Sequence, residues 1–160
     1  MKGNYSGELV LFSAITGAIA APIKLIVHHV FMWTGLSSKF YDMLTAYLVH
    51  GHHRVKGIGE WIFGELGDIA IGALFGVFLG FWLKKSRPRY HWWIGLGYGF
   101  GIWFGSLSFG NLTKIIEKSM TDPWSLFAHL FAMLTYGVVF VFASKIWKPL
   151  RERVENNGTK

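Results

Sequence analysis

Cysteine is absent from the 160 residues of this chain. Within the chain that excludes disulfides, thiolate zinc sites, cysteine-ligated iron–sulfur clusters and a cysteine nucleophile. Any metal would have to rest on imidazole, carboxylate or backbone oxygen. Charge is scarce too: 16% of residues are Asp, Glu, Lys or Arg, against about 25% in soluble domains. Acids are the rarer sign, nine against sixteen Lys and Arg. Proline is limited to four residues, so little interrupts a long helix.

What is present is apolar and aromatic. Hydrophobic residues make up 52% and aromatic residues 18%, with a mean hydropathy of +0.35. Four stretches reach the ~20 residues that cross a bilayer as helix: about 9–33, 61–83, 91–110 and 124–144. The fold class is therefore read as all-α, a polytopic membrane protein built as a four-transmembrane-helix bundle. Residues 1–160 are expected to form one membrane domain. Strand or irregular backbone facing lipid is excluded, so the Gly-rich third stretch must be helical.

Local signals refine this outline. Met1-Lys2-Gly3 opens like a weak signal peptide, but the run behind it is too long and holds Pro22, Lys24, His28 and His29. It reads as a retained first span. Pro22 removes one helix hydrogen bond and is expected to kink that span. Ser37 or Ser38 can cap a short helix at about 38–50, with Phe40, Met43, Leu44, Tyr47 and Leu48 on one face. That piece is too short to span and is expected at the interface. Asp122-Pro123 is a helix start, with Asp as cap and Pro at the first helical position. The polar tail, 152–160, is expected to fray.

Two glycine ladders, Gly72-Gly76-Gly80 and Gly97-Gly101-Gly105, allow close helix approach. Both are read as packing within the bundle, with a dimer seam as the alternative. The run Gly95–Gly101 lacks both the spacing and the preceding strand of a nucleotide-binding loop.

The net charge of +7 is distributed as a membrane protein distributes it. Lys2, Lys84, Lys85, Arg87, Arg89, Lys145, Lys148, Arg151, Arg153 and Lys160 fall on one side. Lys39, Arg54, Lys56, Lys114 and Lys118 fall on the other. The positive-inside rule places both termini in the cytoplasm and the chain in the inner, or plasma, membrane as a multi-pass protein. The expected partners are the bilayer, anionic lipid headgroups on the cytoplasmic side, and a second copy or a membrane partner subunit. Nucleic acid is not among them.

Ionisable residues inside the apolar stretches are the main functional signal, because each costs a few kcal/mol to insert. At ~100° per residue, Ser13, Gly17, Ala20, Ala21, Lys24 and His28 share one face of the first helix. His29 points away from it, toward lipid or a partner. Gly64, Glu65, Asp68, Gly72 and Gly76 make a similar stripe in the second span, and His129, Met133, Tyr136 and Phe140 in the fourth. By rise per residue, Lys24 and Asp68 lie about 11–15 Å from the outer ends, and His28, Glu65 and His129 roughly 6–9 Å. A buried Lys24–Asp68 ion pair is expected, with His28, Glu65 and His129 above it.

Several chemistries fit these residue types. The cluster could only set helix register. His28, Glu65 and His129 could hold a divalent transition metal, gathered at the mouth by His50, His52 and His53. His28 and His129 could instead be axial ligands of haem b on neighbouring helices. Proton or ion passage is a further option, although polar groups thin toward the cytoplasmic half, where Ser13, Thr16 and Ser144 remain. No serine has the local context of a hydrolase nucleophile.

With the residues placed, Gly17-Ala18-Ile19-Ala20-Ala21-Pro22-Ile23-Lys24, the aromatic–glycine third span and Phe127-Ala128-His129…Tyr136-Gly137 carry a resemblance. The chain resembles small four-helix bacterial inner-membrane proteins of uncharacterised activity, some linked to envelope or acid stress. The resemblance implies the topology and assigns no role to any residue. The leading expectation is a non-enzymatic membrane bundle or partner subunit with a buried polar cluster near the outer face. A haem- or metal-binding redox subunit is the alternative, and a small ion, proton or solute transporter the third reading.

Overall fold

The computed structural model describes residues 5–37, 57–113 and 122–157, and among these the regular structure is α-helical. Four long helices follow in chain order: α1 (Tyr5–Trp33), α2 (Ile58–Lys85), α3 (His91–Leu112) and α4 (Pro123–Asn157). A single 3-10 turn, Pro88–Tyr90, joins α2 to α3. Segments Gly7–Trp33, Ile58–Lys85 and Pro123–Ile146 are long and apolar enough to cross a membrane. The expected interfacial helix at 38–50 and the histidines at 50, 52 and 53 lie outside the described residues.

The chemistry of each end accounts for where the helices start and stop. α1 runs unbroken through Pro22 and stops where Gly35 takes φ 74°. There the Leu36 N–H returns to the Phe31 carbonyl at 3.1 Å and the Gly35 N–H to that of Met32 at 2.9 Å. That pairing satisfies the last carbonyls of the helix and needs the left-handed glycine. Arg87-Pro88 ends α2, because the residue before proline is driven out of the helical region; Arg87 is extended, with ψ 139°. Asp122 opens α4, its carboxylate accepting the Ser125 N–H at 2.9 Å. α4 stays helical to Asn157, through most of the tail expected to fray.

α1 is the central helix, packed on both α2 and α4, while α3 packs mainly on α4 and touches α2 lightly. Neighbours run antiparallel, and small residues decide how close they come. A Cβ on Gly76 would fall 2.5 Å from the Ser13 carbonyl oxygen, and one on Gly17 would strike the Gly72 carbonyl. On the other side, Gly95 and Gly99 of α3 lie against Gly137 and Met133 of α4 in the same way. The core between the helices is Ala20, Ala21, Leu79, Leu83, Tyr136, Phe140 and Val141. Two phenols cross it to reach α2: Tyr136 donates to the Gly72 carbonyl at 2.6 Å, and Tyr98 to that of Phe75 at 2.8 Å.

One of the two glycine ladders is corrected. Gly72, Gly76 and Gly80 pack on Ala21, Gly17 and Ser13 inside the bundle, but Gly97, Gly101 and Gly105 have nothing within 4 Å of an added Cβ. With six glycines spread along α3, spacing alone chose the outward face. The packing face is Gly95-Gly99, two residues out of phase. Gly76→Leu should therefore lower stability by about 3 kcal/mol through forced separation of α1 and α2. Gly101→Leu should change it by about 0.5 kcal/mol or less. Thermal unfolding in detergent followed by circular dichroism compares the two, and equal losses would contradict this packing.

Candidate functional site: a buried polar cluster

Four residues in the upper half of α1 and α2 form two contacts across one seam, an ion pair and a histidine–carboxylate contact. Lys24 Nζ lies 2.5 Å from Asp68 Oδ2, with both side chains largely buried. One turn further along α1, His29 Nε2 is 3.8 Å from Glu65 Oε1. The His29 ring is held in place by its Nδ1–H, which donates to the Leu25 carbonyl at 2.8 Å. Trp33 and Trp61 stand edge-on to it at 6.0 and 6.5 Å. The expectation that His29 points away from the cluster is therefore corrected. α1 lies between two helices, so residues about 100° apart on it meet different neighbours. His29 meets α2.

His28 meets α4. It is 3% exposed, as is His129, and the two ring centroids are 6.3 Å apart with planes tilted by 48°. His129 Nε2 in turn lies 3.0 Å from the Ser106 hydroxyl on α3. That hydroxyl donates its one proton to the Trp103 carbonyl at 2.8 Å. In this arrangement the imidazole N–H at Nε2 is the donor to Ser106. Above the cluster the Ser37 and Ser125 hydroxyls meet at 3.1 Å, tying the end of α1 to the start of α4. Polar contacts thus join α1 to α2, α1 to α4, and α4 to α3.

The donor set decides how well a metal or haem fits. Among the described residues no three His, Asp or Glu side chains are grouped to hold one metal ion, so His28, Glu65 and His129 do not form the expected three-ligand site. The reason is again the two-sided burial of α1: Glu65 turns to His29 on the α2 seam, and His28 and His129 pair on the α4 seam. Haem ligation through Nε2 of His129 would break its bond to Ser106. Sequence reasoning missed Ser106 and the role of His29. Ser106 follows only from the α3–α4 register, in which Gly95 on Gly137 and Gly99 on Met133 bring residues 103–106 alongside His129.

A cavity of about 330 Å³ lies at the opposite end of the bundle, lined by residues including Phe12, Thr16, Lys84 and Ser144. Thr16 and Lys24 are separated by about two helical turns, ~12 Å. Between them sit Ala20 and Ala21, both 0% exposed, and across from these Tyr136 at 2%. Comparison of the chain with protein-family models, curated proteins and solved structures gives no match.

Breaking the Lys24–Asp68 pair from one side leaves a carboxylate stranded at low dielectric. Lys24→Met should cost about 3–5 kcal/mol, and Lys24→Met combined with Asp68→Leu should recover most of it. A double-mutant cycle of thermal unfolding in detergent measures this. If the double variant were no more stable than the single one, the two groups would not act as a pair.

Proposed function

We propose that this chain is a four-span protein of the inner, or plasma, membrane with both termini in the cytoplasm, and that it works as a non-enzymatic bundle or partner subunit. In this reading the polar cluster is a fastener that sets the register of the helices. The observation that carries it is the Lys24–Asp68 contact, a pairing of the two most deeply placed ionisable groups with each other. Groups of that kind, matched across a helix seam, are satisfied before any cargo or cofactor arrives.

α3 serves as the fourth span. At 22 residues it is about 33 Å long, enough to cross the hydrocarbon core. It has no Asp, Glu, Lys or Arg between His91 and Leu112. Its low hydropathy comes from glycine and tryptophan, which membrane helices tolerate well. Lys145 over the Trp92 ring at 4.4 Å and Arg89 over Tyr90 at 4.6 Å form a basic–aromatic belt where the inner interface would lie. Fusing a reporter to either terminus tests this: cytoplasmic signal is expected at both, and an external signal at either would sink the four-span topology.

The alternative of a haem- or metal-binding redox subunit draws on the His28–His129 pair. A visible spectrum and metal analysis of the gently solubilised protein separate the two readings. The fastener predicts no Soret band and no stoichiometric metal. A band or a bound metal that disappears in His28→Ala or His129→Ala would establish the redox reading instead. Transport, the third reading, receives less support, because the fully buried Ala20–Ala21–Tyr136 layer interrupts polar groups between the two ends.

A further inference from the structure

The cavity at the basic end is not absorbed by the fastener reading, and its lining is divided in a telling way. Its deep wall is apolar: Leu9, Leu83 and Phe140 are 8%, 6% and 1% exposed. Three of the four hydroxyls along it, all but that of Ser13, are turned into their own helices. Thr16 donates to the Phe12 carbonyl at 2.7 Å, and Ser144 to that of Val141 at 2.8 Å. Ser86 does the same to Trp82 at 2.7 Å. A ligand inside therefore meets mainly carbon.

The mouth differs. Lys84 and His91 stand there, with the His91 ring fixed by Nε2–H donation to the Ser86 carbonyl at 3.4 Å. α3 is entered directly from the Pro88–Tyr90 turn, with the Tyr90 N–H on the Arg87 carbonyl at 2.9 Å and the His91 N–H on that of Pro88, so the charge at the mouth comes from Lys84. The neighbouring cations Lys145 and Arg89 are engaged with Trp92 and Tyr90. Among the described residues Lys84 has no carboxylate within ion-pair distance. An apolar slot of about 330 Å³, at the small end of the size range of ligand sites, thus opens on a cation.

We infer that this groove binds one anionic phospholipid, its phosphate at Lys84 and an acyl chain along Leu9, Leu83 and Phe140. Charge complementarity at the mouth and an apolar interior match the two halves of that molecule. Zwitterionic lipid offers no net charge to Lys84, and inorganic phosphate cannot use the apolar wall. The inference rests on the membrane reading above.

The test places the full chain in nanodiscs of equal parts phosphatidylglycerol and phosphatidylethanolamine, releases it in mild detergent, and counts retained lipids by native mass spectrometry. One phosphatidylglycerol per chain is expected, kept in preference to phosphatidylethanolamine. Lys84→Ala should lower that retention about fivefold, the contribution of one basic side chain at a lipid surface. Ser144→Phe, which fills the slot and leaves Lys84 in place, should lower it as well, while Lys85→Ala leaves it unchanged. Equal retention of both lipids, an equal fall with Lys85→Ala, or displacement by inorganic phosphate alone would each overturn the proposal. Failure of the chain to enter the discs would overturn the membrane reading and this site with it. Entry without lipid selectivity overturns this site alone.

Discussion

The close approach of α1 and α2 is the constraint on which the rest of the structure depends. Backbone meets backbone where Gly17 lies against Gly72 and Gly76, and no side chain intervenes to let the helices slide. Antiparallel helices in contact at one level are in register at all levels: each turn up α1 is a turn down α2. The register that lays Ser13 on Gly80 and Gly17 on Gly76 carries Lys24 to Asp68 and His29 to Glu65. The glycines therefore determine which polar side chains meet. The ion pair then penalises any slip, because a shift by one turn would separate the two groups in a low-dielectric interior.

α1 also shows why amphipathic reasoning has limits in a bundle. A helix at the edge of a protein has one buried face, and a stripe is enough to describe it. α1 has two neighbours, and its polar residues are divided between them: Lys24 and His29 to α2, His28 to α4. That division spreads the cost of burial over three helices. His129 continues it to Ser106 on α3, so the polar contacts link every helix of the bundle.

Much of this was legible in the sequence because it follows from length, depth and end chemistry. Helix bounds could be read from Gly35, Arg87-Pro88 and Asp122-Pro123, whose effects are local. Lys24 and Asp68 could be matched because rise per residue gives depth without knowledge of the partner's rotation. Rotation was the hard part. Whether α3 packs through Gly95-Gly99 or Gly97-Gly101 turns on an angle of about 200°, and with glycine on both faces the pattern contains no preference. His29 was misplaced for the same reason, since its surroundings depend on a second helix that the α1 pattern does not encode. Ser106 needed the α3–α4 register, which only the correct glycine face supplies.

The two ends of the bundle differ in a way that follows from these packings. At one end charged and imidazole side chains meet one another across helix seams, which leaves a polar cluster enclosed between the helices. At the other, the Thr16, Ser86 and Ser144 hydroxyls are folded back on their own helices and the cations stand at the rim, leaving a slot that is largely apolar inside and positive at its mouth. Ala20, Ala21 and Tyr136 separate the two, and the Tyr136 hydroxyl spends its proton on the Gly72 carbonyl. A bilayer imposes the same contrast on anything it solvates: charges in its interior must be paired, whereas charges at its surface can remain available for headgroups. The end with matched polar groups is suited to holding the helices together, and the end where Lys84 has no carboxylate partner among the described residues is suited to meeting a lipid.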